Sequence, residues 1–215
     1  GMRLLFARLL RPFRWRSPHA TARMLLAFSK AERSSFFDMM EAANASPDPA
    51  RKAQYVAHAV DEARHAKMFL ARAVELDPTC AHQPERLHAD FEHLFSALGE
   101  ARFISFVHVG EKRARAQMVL FRDELAALEG SARADQKTRA LLDAVMRDEA
   151  RHEAYSLELS RALGGSLAAA HAWELKRAWL RAGAGVSGLV YVALMSVLYL
   201  CLAPLALLER ARERR

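Results

Sequence analysis

Residues 61–65 read Asp-Glu-Ala-Arg-His, and the same five residues return at 148–152. Each copy puts a Glu and a His three residues apart inside a long run of helix formers. At 3.6 residues per turn, positions i and i+3 share one helix face, so a carboxylate oxygen and an imidazole nitrogen can reach one metal ion. Two such helices packed together present Glu62 with His65, and Glu149 with His152, to a shared site. A single copy would pass for a charged, solvated turn. Two identical copies in 215 residues point to a paired site.

Working outward from the repeats, four long helices are expected, over about 19–45, 49–76, 98–129 and 134–163. In the first, Leu25, Phe28, Glu32, Phe36 and Met39 recur at helical spacing, so Glu32 stands alone in an apolar stripe. A carboxylate there is costly to bury without a partner. The second carries Tyr55, His58, Glu62, His65 and Phe69 on its inner face. The third repeats the pattern of the first, with Glu111 centred among Ile104, Val107, Met118 and Phe121. The fourth aligns Leu142, Val145, Glu149, His152 and Ser156. His108, one turn before Glu111, is expected to be a hydrogen-bonded core histidine.

Turn signals separate these stripes. Ser46-Pro47-Asp48-Pro49 divides the first helix from the second, Gly130-Ser131 closes the third and Gly164-Gly165 the fourth. Residues 77–97 form a longer connection with a short helix of its own, two prolines and His82, His88 and His93. Its polar surroundings suit solvated histidines better than a metal site.

Composition agrees with an all-α chain of one domain, or one domain plus an appendage. It is 52% hydrophobic, with only 9 Gly and 7 Pro. Cys80 and Cys201 are the only cysteines, which excludes a disulfide framework and any thiolate-only metal centre, and favours a reducing, cytoplasmic setting. The net charge of +7 has no nucleic-acid motif behind it, and the arginines concentrate at the chain ends, so nucleic acid is not an expected partner. The N-terminal segment, residues 1–18, is basic and amphipathic, with Leu, Phe and Trp among arginines. It suits the headgroup region of an anionic membrane. Residues 166–215 form a C-terminal helical segment, in which 183–208 run 26 positions without a charge. An apolar helix of about 20 residues spans a bilayer's hydrocarbon core. Either this stretch inserts in a membrane or it packs against a second copy, which would make the protein a homodimer. The first alternative places the protein on the cytoplasmic side of a membrane.

With four carboxylates and two histidines facing inward from four helices, the four ionised carboxylates would repel one another unless divalent cations neutralise them. Nitrogen and oxygen donors without thiolate suit iron or manganese, and zinc also fits. In this pattern the sequence resembles the ferritin-like di-iron carboxylate superfamily, over roughly residues 19–163. The resemblance implies a ferritin-like four-helix bundle with a long crossover between helices 2 and 3; the hydrophobic C-terminal fifth helix, beyond it, is read from the uncharged stretch 183–208. It implies that Glu32, Glu62, His65, Glu111, Glu149 and His152 ligate two iron ions (Fe/Fe or Mn/Fe), with Glu62 and Glu149 bridging. The flanking residues resemble the doubled DExRH motif of di-iron oxygenases such as the bacterial multicomponent monooxygenases. That likeness gives Asp61, Arg64, Asp148 and Arg151 the task of holding the ligand histidines.

The function expected from this resemblance is an O2-activating di-iron oxygenase or oxidase. Its substrate would be small and lipophilic, and its electrons would come from a separate reductase. The alternatives are a ferroxidase or other iron-handling protein at a membrane, which needs the same six ligands, and a metal-stabilised membrane adaptor without catalysis. A rubrerythrin-type peroxidase with a four-cysteine centre is excluded by the cysteine count.

Overall fold

The computed structural model describes residues 17–82, 93–127, 135–177 and 179. All regular structure among them is helical. The chain divides between Leu167 and Ala168 into two compact units. Four long helices dominate the first: α1 (Pro18–Ala45), α2 (Pro49–Leu76), α4 (Glu100–Ala126) and α5 (Gln136–Ala162). A 3-10 turn (Pro78–His82) and the short α3 (Leu94–Leu98) lie between α2 and α4.

The helix starts follow from local chemistry. Ser17 accepts a hydrogen bond from the backbone N–H of Ala20, and Asp48 accepts from those of Ala50 and Arg51. In each case a proline follows as the first helical residue, where its missing N–H leaves nothing unsatisfied. Asp135 caps α5 through the backbone N–H of Thr138 (2.9 Å). The sequence leads to a short helix within the 77–97 connection and a third long helix from about residue 98; the structure has both, with Gly99, at φ +73°, ending α3 and starting α4. That left-handed geometry is open to glycine at little cost, so the chain turns there.

Side-chain contacts fix the directions of the helices. Ser29 meets Ala66, Glu32 meets His65 and His19 meets Asp77, so α1 and α2 run antiparallel. Ser105 meets Ser160, Arg115 meets Glu153 and Arg122 approaches Asp143, so α4 and α5 are antiparallel too. By contrast, Tyr55 meets Glu100 and His58 meets Glu111, with both numbers rising, so α2 and α4 are parallel. Consecutive long helices can be parallel only if the chain travels back along them. A 28-residue helix is about 40 Å long, and the connection from Asp77 to Gly99 makes that return. Its residues 83–92, including His88, lie outside the described residues. His82 and His93 are exposed.

Two apolar clusters form the core of this unit. One joins Leu25, Phe28, Phe69, Met118, Phe121, Leu142 and Val145. The other joins Met39, Tyr55, Phe95, Phe103, Ile104 and Val107. On α1, α2 and α4 the acidic position falls between the helix's contributions to the two clusters: Glu32 between Phe28 and Met39, Glu62 between Tyr55 and Phe69, Glu111 between Val107 and Met118. Burying each large apolar side chain contributes roughly 1.5–3 kcal/mol, and these two layers enclose the charged one.

In the second unit residues 168–177 are helical, and Lys176 lies 5.2 Å from the centre of the Trp173 ring. Among the described residues no helix is long and apolar enough to cross a membrane. The stretch 183–208 and most of the N-terminal segment lie outside the described residues.

Candidate metal centre

Every residue expected as a ligand is buried: Glu32, Glu62, His65, Glu111, Glu149 and His152 are each at most 7% exposed. Their donor atoms fall into two groups that share Glu62. The first is Glu32, Glu62, His65 and Glu149, and the second is His58, Glu62, Glu111 and His152. Within each group one atom per residue lies within 4.8 Å of all the others. His65 Nδ1 is 3.2 Å from Glu149 Oε1 and 3.8 Å from Glu32 Oε2. His152 Nδ1 is 3.5 Å from Glu62 Oε1.

The outer nitrogens of the two repeat histidines are already engaged. His65 Nε2 donates to Asp148 Oδ2 (3.1 Å), and His152 Nε2 donates to Asp61 Oδ2 (3.2 Å). An ionised carboxylate only accepts, so these contacts place an N–H on Nε2 and turn Nδ1 towards the carboxylates, where on His65 it holds the proton that a cation would displace. Arg64 spans Asp61 (2.5 Å) and Asp148 (2.8 Å), and Arg151 spans Asp148 (2.7 Å) and Asp61 (3.3 Å). The two pentapeptides are therefore cross-braced, each aspartate serving the histidine of the other copy.

The fit to a metal rests on atoms left without partners. His58 Nε2, Glu62 Oε1, His65 Nδ1, Glu149 Oε1 and His152 Nδ1 are buried and make no hydrogen bond. Buried polar atoms are nearly always satisfied, and five converging on one layer suit cations better than any internal pairing. Without a metal the layer is electrostatically awkward. Burial, and then the charge of Glu62, push the Glu32 carboxyl well above its usual range. Burial and Glu149 do the same to Glu111. Glu62 is held down to about 2: burial would raise it, but His58 and the other neighbours outweigh that. His65 is raised to about 11, because the surrounding Glu149, Glu32 and Glu62 overcome the opposing effect of burial. Protons thus stand in for part of the positive charge the site calls for.

His58 is visible in the sequence only as one residue on the inner face of α2. It lies one turn before Glu62, and Nε2 is 3.3 Å from both Glu62 Oε1 and Glu111 Oε1. Nothing local sets it apart from a core histidine. Spacing places it on one helix face with Glu62 and His65, but only the approach of Glu111 and Tyr155 distinguishes it. His108, in contrast, is tied off: its Nδ1 donates to the backbone carbonyl of Glu153 at 3.0 Å.

Fold and site together define an all-helical chain with a buried, doubled carboxylate–histidine cluster. No family model, curated protein or solved structure matches the chain.

Proposed function

We propose that this chain is a ferritin-like four-helix bundle holding two iron ions (Fe/Fe or Mn/Fe), and that it is an O2-activating oxygenase or oxidase acting on a small lipophilic substrate. The observation that carries this is the pair of four-residue groups sharing Glu62, with unpartnered ligand atoms converging in a buried layer. Glu32, His65 and Glu149 serve one ion, and Glu111 and His152 the other. Glu62, common to both groups, would be shared between them. Glu149 belongs to the first group, and its charge is also felt by Glu111 of the second.

When bound in reduced form, the iron pair would supply two electrons to O2, and the substrate that is oxidised would supply the other two. The chain's own residues do the rest. Asp61 and Asp148 fix the tautomer and orientation of His152 and His65, as partners of metal-bound histidines do. The apolar clusters on both sides exclude bulk water, and their Phe, Leu and Met side chains suit an apolar substrate better than a charged one. Electrons for each further turnover would come from a separate reductase.

Anaerobic loading of the full chain with Fe(II), followed by O2, tests this. Two iron per chain and O2 uptake that persists with an electron donor and an apolar substrate, yielding an oxidised organic product, are expected. Uptake that ends in a growing ferric mineral would instead make the protein an iron-handling ferroxidase. A chain that binds no iron would end both readings.

A further inference from the structure

We propose that His58 is itself a metal ligand, the third histidine of the centre, and that it makes the two cation positions chemically unequal. This rests on the two-metal reading and adds a residue that the paired motif does not contain.

Three observations carry it. His58 is 2% exposed, and its Nε2 is one of the buried atoms without a hydrogen bond, although it lies 3.3 Å from carboxylate oxygens of both Glu62 and Glu111. Its other nitrogen is occupied, since Nδ1 is 2.6 Å from the hydroxyl of Tyr155. Its ring stacks on that of His152, with centroids 3.8 Å apart and planes 27° apart, so the two imidazoles present themselves side by side. This arrangement repeats that of His65 and His152: one nitrogen held from outside, the other turned to the carboxylates. The holding group differs. A neutral phenol replaces an aspartate, so with a metal on Nε2 the Nδ1–H donates to the Tyr155 oxygen.

The consequence is a difference in donor chemistry. The position near Glu32 has three carboxylates and one imidazole, and the position near Glu111 has two carboxylates and two imidazoles. Carboxylate-rich sites suit manganese, whereas imidazole favours cations later in the divalent series, such as iron, cobalt or zinc. The His58 position is therefore the one that discriminates against Mn(II), and the Glu32 position the one that tolerates it.

The test is titration of the metal-free full chain with Co(II), read by calorimetry and by the visible absorption of the bound ion, then competition with Mn(II). The unmodified chain should bind two Co(II), and excess Mn(II) should displace the ion near Glu32 at a markedly lower concentration than the other. His58→Gln should weaken one site by at least about tenfold, change the absorption of that ion and let Mn(II) compete at both. Tyr155→Phe keeps the imidazole and removes its support, and should weaken the same site by a smaller factor while leaving the other alone. Far-UV circular dichroism and a melting curve check that both variants fold. Should His58→Gln fail to fold, Tyr155→Phe decides alone. Unchanged affinities and an unchanged spectrum in either folded variant, or equal weakening of both sites, would overturn the proposal and leave the two-metal reading standing. An unmodified chain that binds no Co(II) would overturn both.

Discussion

Asp148 Oδ2 accepts a hydrogen bond from His65 Nε2 at 3.1 Å, reaching from the second pentapeptide to the histidine of the first. Asp61 and His152 mirror it at 3.2 Å. Burial would push the Asp148 carboxyl up, but the His65 hydrogen bond and the charges of Arg151 and Arg64 hold it below the usual carboxylate range. It is thus ionised at neutral pH and able to fix His65. Partners of metal-bound histidines are worth roughly 10–100-fold in metal affinity. Asp148→Ala should lose a factor in that range, mainly for the ion that His65 serves, with helicity retained. Titration with Fe(II) or Co(II) measures it, and unchanged affinity at both positions would show that the cross-brace is only structural.

Metal binding should release protons. In the metal-free protein His65 is raised to about 11 and His58 to about 9, so both carry a proton at pH 7. A cation must displace it, and affinity therefore rises with pH. Calorimetry in two buffers of different ionisation enthalpy gives the proton count. Heats that do not depend on the buffer would contradict the assignment.

Glu32→Gln separates stability from binding. The folded, metal-free pKa of Glu32 is raised by burial and then by Glu62, whereas the unfolded value is about 4.5. For this group the sign is that stability is fullest below pH 4.5 and is lost as pH rises through the folded value, because the unfolded chain ionises freely and the folded one does not. A neutral amide removes that penalty. The metal-free variant should melt above the unmodified chain at pH 7, while the rise in melting temperature on adding metal shrinks. A variant that melts lower at pH 7, yet keeps the full metal-induced rise, would argue against a destabilising buried carboxyl here.

Gly165→Ala should destabilise the junction where α5 ends. A methyl there would run into Ser105 Oγ, and lie 2.6 Å from Ser160 Oγ and 2.7 Å from the backbone oxygen of Ala101. The two serines are already hydrogen-bonded to each other at 2.7 Å, and a backbone atom cannot step aside. Overpacking of this kind costs about 1–3 kcal/mol, or roughly 2–4 °C in melting temperature per kcal/mol for a chain of this size. An unchanged melting curve would show that the α4–α5 contact is slack.

Much of this is legible in the sequence. The boundaries of α1 and α2 follow from Ser17-Pro18 and Asp48-Pro49, where cap and proline act on adjacent residues. The stripes through Glu32 and Glu111 are readable because a lone carboxylate breaks an otherwise apolar period. The division between the short α3 and α4 is readable to within a residue or two, but not the left-handed turn at Gly99 that makes it. Nor is the metal-facing role proposed for His58. A buried histidine on α2 reads identically until Glu111 of α4 and Tyr155 of α5 are brought to its two nitrogens.

The sequence by itself determined which residues share a helix face, because 3.6 residues per turn is a local property of the backbone. That is why the pairing of Glu62 with His65, and of Glu149 with His152, follows from spacing alone. The tertiary structure decided which nitrogen of each histidine faces inward, which aspartate holds it, and that a third imidazole joins the cluster. Those depend on the relative height and rotation of packed helices, which spacing along a chain does not encode.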